Sequence, residues 1–348
     1  MRRALLSAVI ACGVISLNPI GSGSAAQEQQ RVVAIGDVHG AADAFAAILT
    51  TAGLIDSNKK WIGGRSILVQ TGDMTDRGAG TKAALDLLMS LEKQAEKAGG
   101  RVHALLGNHE VMNMTGHMRD ATPEIFASFG GEAATRAAFA PDGEYGRWLR
   151  RKPIIATVDG TLFVHAGIST AESTASINEL NSRAKRELEV WDTGIRLLQK
   201  LKLVPEAPEF MQVVEASRLE IERLNATVAT GKIPPDARQV AAALLPLANI
   251  GQSSLYAPEG PLWFRGYSTW TDEEGAPQMD ALIKRYRVRR FVGGHNPQRD
   301  AMITERFGGT LFQIDTGMLG KPYFPAGRPS ALVIENDTAR PLYLSGDK

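Results

Sequence analysis

Five short runs place residues that bind divalent metals and move protons: Gly36-Asp37-Val38-His39-Gly40, Gly72-Asp73-Met74-Thr75-Asp76-Arg77-Gly78 and Gly107-Asn108-His109-Glu110, then His165 and His295. Hard or borderline divalent ions take carboxylate, amide-oxygen and neutral imidazole ligands, and Asp37, His39, Asp73, Asn108, His165 and His295 supply that set. A carboxylate such as Asp73 can bridge two ions roughly 3.5 to 4 Å apart, and such a pair can activate a water and steady a phosphoryl oxygen. Flanking glycines let the backbone turn sharply and leave room beside the metals. Each run alone is weak, because a lone histidine on a strand is more often an ordinary core or surface residue. Five in this order predict phosphoester chemistry at a two-metal site.

Such ligands must be delivered by strand ends. Each run follows an apolar stretch that reads as a buried strand: Val32 to Ile35, Ile67 to Val69, Ala104 to Leu106, Leu162 to Val164 and Phe291-Val292. Strands near 32 to 37, 66 to 72 and 102 to 107 alternate with helical patterns at 41 to 53 and 81 to 98, a βαβαβ opening with a parallel sheet whose ligands converge at one edge. After Gly167, apolar residues recur at three- and four-residue spacing from Ile177 to Leu201 and from Phe210 to Val228. With a third helix near 235 to 248, residues 170 to 250 form a helical insert, whose apolar stripes argue for packing first and leave a role as a specificity cap open. Strand patterns return at 289 to 294, 301 to 305, 310 to 315 and 331 to 335, expected as a second, more antiparallel sheet packed on the first.

The chain has 348 residues, enough for a substantial core. Arg2 and Arg3 precede an apolar stretch from Ala4 to Leu17, and Ser24-Ala25-Ala26 offers small residues for cleavage, so residues 1 to 26 read as an export leader and 31 to 345 as the working domain. Gly21 to Gln30 reads as a flexible start. The apolar stretch is short for a membrane span, and no other segment comes near one. Val9-Ile10-Ala11-Cys12 leaves a lipid-anchored form as an alternative, and the paired arginines only weakly favour twin-arginine over general export. The expected location is therefore periplasmic or secreted. Formal charge is +1, and removing the two leader arginines leaves 37 basic against 38 acidic side chains, which offers no electrostatic grip on nucleic acid. Cys12 is the only cysteine and lies in the leader, which excludes a cysteine nucleophile and disulfides in the mature chain.

The Gly-Asp-x-His-Gly, Gly-Asp-x-x-Asp-Arg-Gly and Gly-Asn-His-Glu motifs resemble those of calcineurin-like metallophosphoesterases, and more narrowly the phosphoprotein phosphatase superfamily, over about residues 31 to 335. Gly107 to Asn113 (GNHEVMN), Gly260 to Tyr267 (GPLWFRGY) and Gly293 to Gln298 (GGHNPQ) resemble the Shewanella-like protein phosphatases. The resemblance implies a four-layer α/β/β/α sandwich and hydrolysis of phosphomonoesters, on phosphorylated proteins or small molecules, by direct attack of a metal-bound hydroxide. It implies two divalent ions, manganese first, with iron, zinc or magnesium as alternatives. Asp37, His39 and Asp73 would hold the first ion, and Asp73, Asn108, His165 and His295 the second. His109 would be the general acid and Asp76 the carboxylate that orients it; a metal-ligand role for His109 is the alternative.

Arg77 matches a family phosphate-binding arginine, against the plainer reading of a structural salt bridge. The arginine that precedes Gly-Asn-His-Glu in eukaryotic phosphoprotein phosphatases is Leu106 here. Arg265 is the expected replacement, Arg119 the reserve, and Asn113 a further hydrogen-bond donor to substrate. His117 stands where Asp is expected. Glu110 reads as a helix-start charge. Val164 to Ile168 also resembles dinucleoside polyphosphate hydrolases, the rival activity, although those relatives lack the Asp76-Arg77 pairing. A catalytically silent metal-binding or partner-binding module is the remaining alternative; it would explain the large helical insert, but every expected ligand and the acid are present.

Overall fold

The computed structural model describes residues 30–229 and 235–344. The expected leader and Cys12 lie outside the described residues. Among the described residues, ten strands form two five-stranded sheets. The first contains β1 (Val32–Ile35), β2 (Ile67–Gln70) and β3 (Arg101–Ala104), all parallel, extended from β1 by the antiparallel β9 (Ser330–Glu335) and β10 (Thr338–Tyr343). The second runs β4 (Ile155–Val158), β5 (Thr161–Val164), β6 (Arg290–Gly293), β8 (Leu311–Gln313) and β7 (Thr304–Arg306). Its centre, β5, β6 and β8, is parallel, and only the edge strands β4 and β7 are antiparallel.

Three expectations change here. The strand expected at 331 to 335 joins the first sheet, because its alternate residues Leu332 and Ile334 pack in the same cluster as Val32 and Ala34. The second sheet is mixed and parallel at its centre. Its strand expected at 301 to 305 is short and starts at Thr304.

Strand periodicity builds the layers. Val32, Ala34, Ile67 and Val69 meet Phe163 of β5, Val292 of β6 and Phe312 of β8 in one cluster between the sheets. The intervening Val33, Ile35 and Leu68 pack with Phe45, Ile48 and Leu49 of α1 (Ala42–Thr51) and Leu85 and Leu88 of α2 (Thr81–Lys97). A run of short helices follows β3: α3 (Asn108–Met114), α4 (Pro123–Phe129), α5 (Glu132–Phe139) and α6 (Glu144–Leu149). The insert consists of α7 (Ile177–Lys200), α8 (Phe210–Ala229) and α9 (Ala237–Ala248), with its own core around Trp191, Val213, Leu244 and Leu247. Its first helix also packs back, since Leu180, Ala184 and Leu188 join the main core. Two further helices, α10 (Gly266–Thr269) and α11 (Asp272–Tyr286), precede β6. Two sheets with helices outside them give the expected α/β/β/α sandwich. No described helix is long and apolar enough to cross a membrane.

Candidate metal centre

Every ligand-bearing loop leaves the C-terminal end of a strand: Asp37 after β1, Asp73 after β2, Asn108 after β3, His165 after β5 and His295 after β6. The parallel centres of both sheets thereby aim their loops into one crevice. The turns are tight. His39, Asp73, Asp76, Arg77 and His295 all have positive φ, between 45° and 71°, a left-handed conformation that non-glycine residues hold only where the surroundings enforce it. Gly72 and Gly107 let two of these loops touch, since a Cβ on Gly107 would lie 2.2 Å from Asp73 Oδ1.

Two histidines have their tautomers set by backbone carbonyls, which can only accept. His39 Nδ1 donates to Thr75 O at 2.9 Å and His165 Nδ1 to Thr71 O at 3.0 Å, which makes Nε2 the ring atom of each that can coordinate. His165 Nε2 lies 2.9 Å from Asn108 Oδ1, 3.2 Å from His295 Nδ1 and 3.4 Å from Asp73 Oδ2. His39 Nε2 lies 3.6 Å from Asp73 Oδ2 and 3.9 Å from Asp37 Oδ2. Asp73 thus belongs to two donor groups, one with His39 and His109, the other with His165 and His295, each with its ligand atoms within 4.8 Å of one another. All six expected ligands are buried and come together.

The electrostatics suit cations. Burial pushes the Asp37 carboxyl up, and Asp315 and Asp73 add to this. Asp315, also buried, is raised to about 6 by burial and by Asp73. Burial opposes ionisation of Asp73 too, but His165, His109 and His39 outweigh it and hold its carboxyl well below the usual range. Burial brings His39 down to about 3, which keeps it neutral and able to coordinate. Imidazoles and crowded carboxylates converging in a buried crevice are the donor set of divalent metals, and the residues present fit two such ions.

His109 differs from the other histidines. Its Nδ1 sits 2.7 Å from Asp76 Oδ2, while Nε2 faces Arg77 Nη2 at 3.3 Å. Burial works against its charged form, but Asp73 and then Asp76 prevail and raise its pKa. Arg77 also reaches His39 Nε2 at 2.6 Å and lies over the Phe324 ring, so it belongs to the site. Arg265 approaches from the position just before α10, its Nη1 donating to Asn296 Oδ1 at 2.6 Å.

Two expected substrate contacts are not brought there. Asn113 Nδ2 is turned inward to Asp76 Oδ2 (3.0 Å) and the His109 carbonyl (2.9 Å), so its two hydrogens are committed to holding the acid pair. Arg119 has its side chain 55% exposed with Nε on Asp120, whose Oδ2 lies 3.9 Å from His109 Nδ1, so the arginine stands at the rim of the cluster and reaches it only through that carboxylate. Glu110 is more than a helix-start charge. It is buried, and its carboxylate accepts from Gly107 N and also from Asp73 N, Met74 N and Thr75 N across the crevice. His117 stacks on Phe210 of the insert at 4.7 Å. Sequence reasoning missed Asp315, although it follows the largely apolar run Leu311 to Ile314, broken only by Gln313, much as Asp37 and Asp73 follow theirs.

The calcineurin-like phosphoesterase family model matches residues 30–299. An uncharacterised protein of Schizosaccharomyces pombe is 30% identical over 88% of this chain and 78% of its own length. Shewanella-like protein phosphatase 1 of Plasmodium berghei is 36% identical over 46% of this chain and 45% of that protein, so the chain spans about half of that relative's length. The cold-active protein-tyrosine phosphatase of a psychrophilic Shewanella species shares the fold, with a TM-score of 0.64 at 23% identity over 90% of this chain and 78% of that one. A family match across most of the chain, converging on a buried donor set for two ions, places the protein in the calcineurin-like phosphoesterase family as a metal-dependent phosphatase.

Proposed function

We propose that the protein is an exported phosphoprotein phosphatase that hydrolyses phosphomonoesters without a covalent intermediate. The observation that carries this reading is the His109–Asp76 pair, 2.7 Å apart, set beside a carboxylate shared by two metal-donor groups. Asp37, His39 and Asp73 would hold one ion and Asp73, Asn108, His165 and His295 the other, with manganese the preferred metal. Bound there, the ions supply Lewis-acid polarisation of a phosphoryl oxygen and a water of lowered pKa.

The chain's own groups do the rest. With Nδ1–H given to Asp76, the proton that His109 can deliver to the leaving oxygen is the one on Nε2. Asp76 raises the basicity of the ring, and Asn113 fixes Asp76 in turn. Arg77 and Arg265 supply cationic donors to phosphate oxygens, Arg265 standing in for the arginine absent at Leu106. Residues 1 to 26 would be removed on export, leaving one domain from 31 to 345 with the helical insert as part of it.

The test is turnover by the protein starting after Ala26, with and without Mn²⁺, on a phosphotyrosine peptide, a phosphoserine peptide and diadenosine tetraphosphate. Metal-dependent hydrolysis of at least one phosphopeptide in preference to the dinucleotide is expected. Preference for the dinucleotide, or peptide turnover that survives exhaustive chelation, would overturn the proposal.

A further inference from the structure

Beside the donor cluster, a groove of about 690 Å³ is lined by Arg265 and Ser268 on one side and Asn296, Gln298, Arg299 and Thr304 on the other. Arg265 joins it to the metal centre: its Nη1 binds Asn296 Oδ1, next to His295, and its charge acts on that histidine. The groove wall is tied to the same crevice, since Gln298 N donates to the Asp315 carbonyl at 2.9 Å and Gln298 Nε2 to the Asn296 carbonyl at 2.7 Å. Its donor groups are underused. Asn296 is buried with Nδ2 lacking a partner among the described residues, and the exposed Arg299 has no ion pair among them. Asp300 is the carboxylate in the lining, and its Oδ1 accepts from Met302 N at 3.0 Å.

Two guanidinium groups and an amide donor around one groove are the chemistry of carboxylate and phosphate recognition. We propose that this groove receives an anionic side chain of the substrate, a carboxylate or a second phosphate, carried a few residues from the phosphoester being cleaved. The inference rests on the reading of the protein as a phosphoprotein phosphatase and narrows its substrates to acidic phosphopeptides.

The test compares metal-loaded protein on peptides of one sequence that differ only beside the phosphoresidue, carrying Glu, a second phosphoserine, Gln or Lys. Turnover is read together with peptide affinity by fluorescence polarisation, and p-nitrophenyl phosphate, which lacks a peptide arm, serves as the reference. For partly exposed ion pairs the Glu or doubly phosphorylated peptide should exceed the Gln peptide by about two- to fivefold in kcat/KM and affinity. Which of the two leads distinguishes carboxylate from phosphate. Arg299→Glu should abolish that preference and favour Lys, while p-nitrophenyl phosphate turnover stays at the wild-type level. Equal values for the Glu, doubly phosphorylated and Gln peptides, or a preference that survives Arg299→Glu, would overturn the inference. Absence of any metal-dependent p-nitrophenyl phosphate turnover would count instead against the phosphatase reading, and the affinities would still score the groove.

Discussion

Glu110→Gln tests whether one buried carboxylate holds the metal-binding loops together. Oε2 accepts from Asp73 N at 2.7 Å and Gly107 N at 2.8 Å, and Oε1 from Met74 N at 2.8 Å and Thr75 N at 3.2 Å. An amide has a single acceptor oxygen. If that oxygen takes the Oε1 position, the new NH₂ confronts the N–H groups of Asp73 and Gly107, and two charge-assisted bonds are lost at about 1.5 to 3 kcal/mol each. Part of this is returned, because burial and then the nearby Asp73 already disfavour the Glu110 charge. We expect a net loss of about 2 to 4 kcal/mol in urea unfolding of the metal-free protein. The functional loss should be larger in proportion. Asp73 holds φ at 56°, a conformation its neighbours must enforce, and Glu110 binds its N–H directly. Metal affinity, read by equilibrium dialysis and elemental analysis, should therefore fall about 10- to 100-fold, as when groups that orient ligands are removed. A variant destabilised by less than about 1 kcal/mol with wild-type metal affinity would refute this reasoning and leave the loops held by their own turns.

Asp73→Asn keeps the shape but removes the charge shared by both donor groups, so metal binding and turnover should collapse while circular dichroism stays native; near-normal turnover in metal-replete protein would contradict the shared-ligand assignment. His109→Asn should slow hydrolysis of phosphoserine, a poor leaving group, by about 10²- to 10⁴-fold and an activated aryl phosphate much less, with metal content retained. Equal losses on both substrates, or loss of one metal, would reassign His109 as a ligand. Arg265→Ala should lower kcat/KM for phosphopeptides by roughly 10- to 100-fold and weaken inhibition by inorganic phosphate with both metals bound, and unchanged inhibition would make Arg265 structural. In chelated protein, Asp315 keeps its proton when folded up to about pH 6, above its unfolded value, so stability should fall by about 3 kcal/mol as pH rises from about 4 to 6. Asp37, also raised, acts in the same direction, whereas the lowered Asp73 matters only below the usual carboxylate range. Thermal unfolding should show that loss with chelator and not with saturating Mn²⁺, and identical pH profiles would exclude carboxylate crowding as its cause.

The ligands were legible in the sequence because metal chemistry restricts residue types and because each one follows a buried strand. Asp37, Asp73, Asn108, His165 and His295 all sit just past such runs, and their unbroken apolar stretches made those runs visible as buried strands. What the pattern could not reveal was which strand pairs with which. The run at 331 to 335 reads equally well in either sheet, and only the match of Leu332 and Ile334 to the inner face of β1 puts it in the first. Side-chain direction was likewise undetermined. Asn113 looks free to meet a substrate until α3 turns its amide onto Asp76, and Glu110 looks like a helix-start charge until the loop from Gly72 to Thr75 folds across it. Residue type and spacing therefore decided which atoms could bind metal, because ligand chemistry is local. Only the tertiary structure decided which buried polar groups hold those atoms in place, because their partners lie more than thirty residues away and a buried donor or acceptor must be matched in three dimensions.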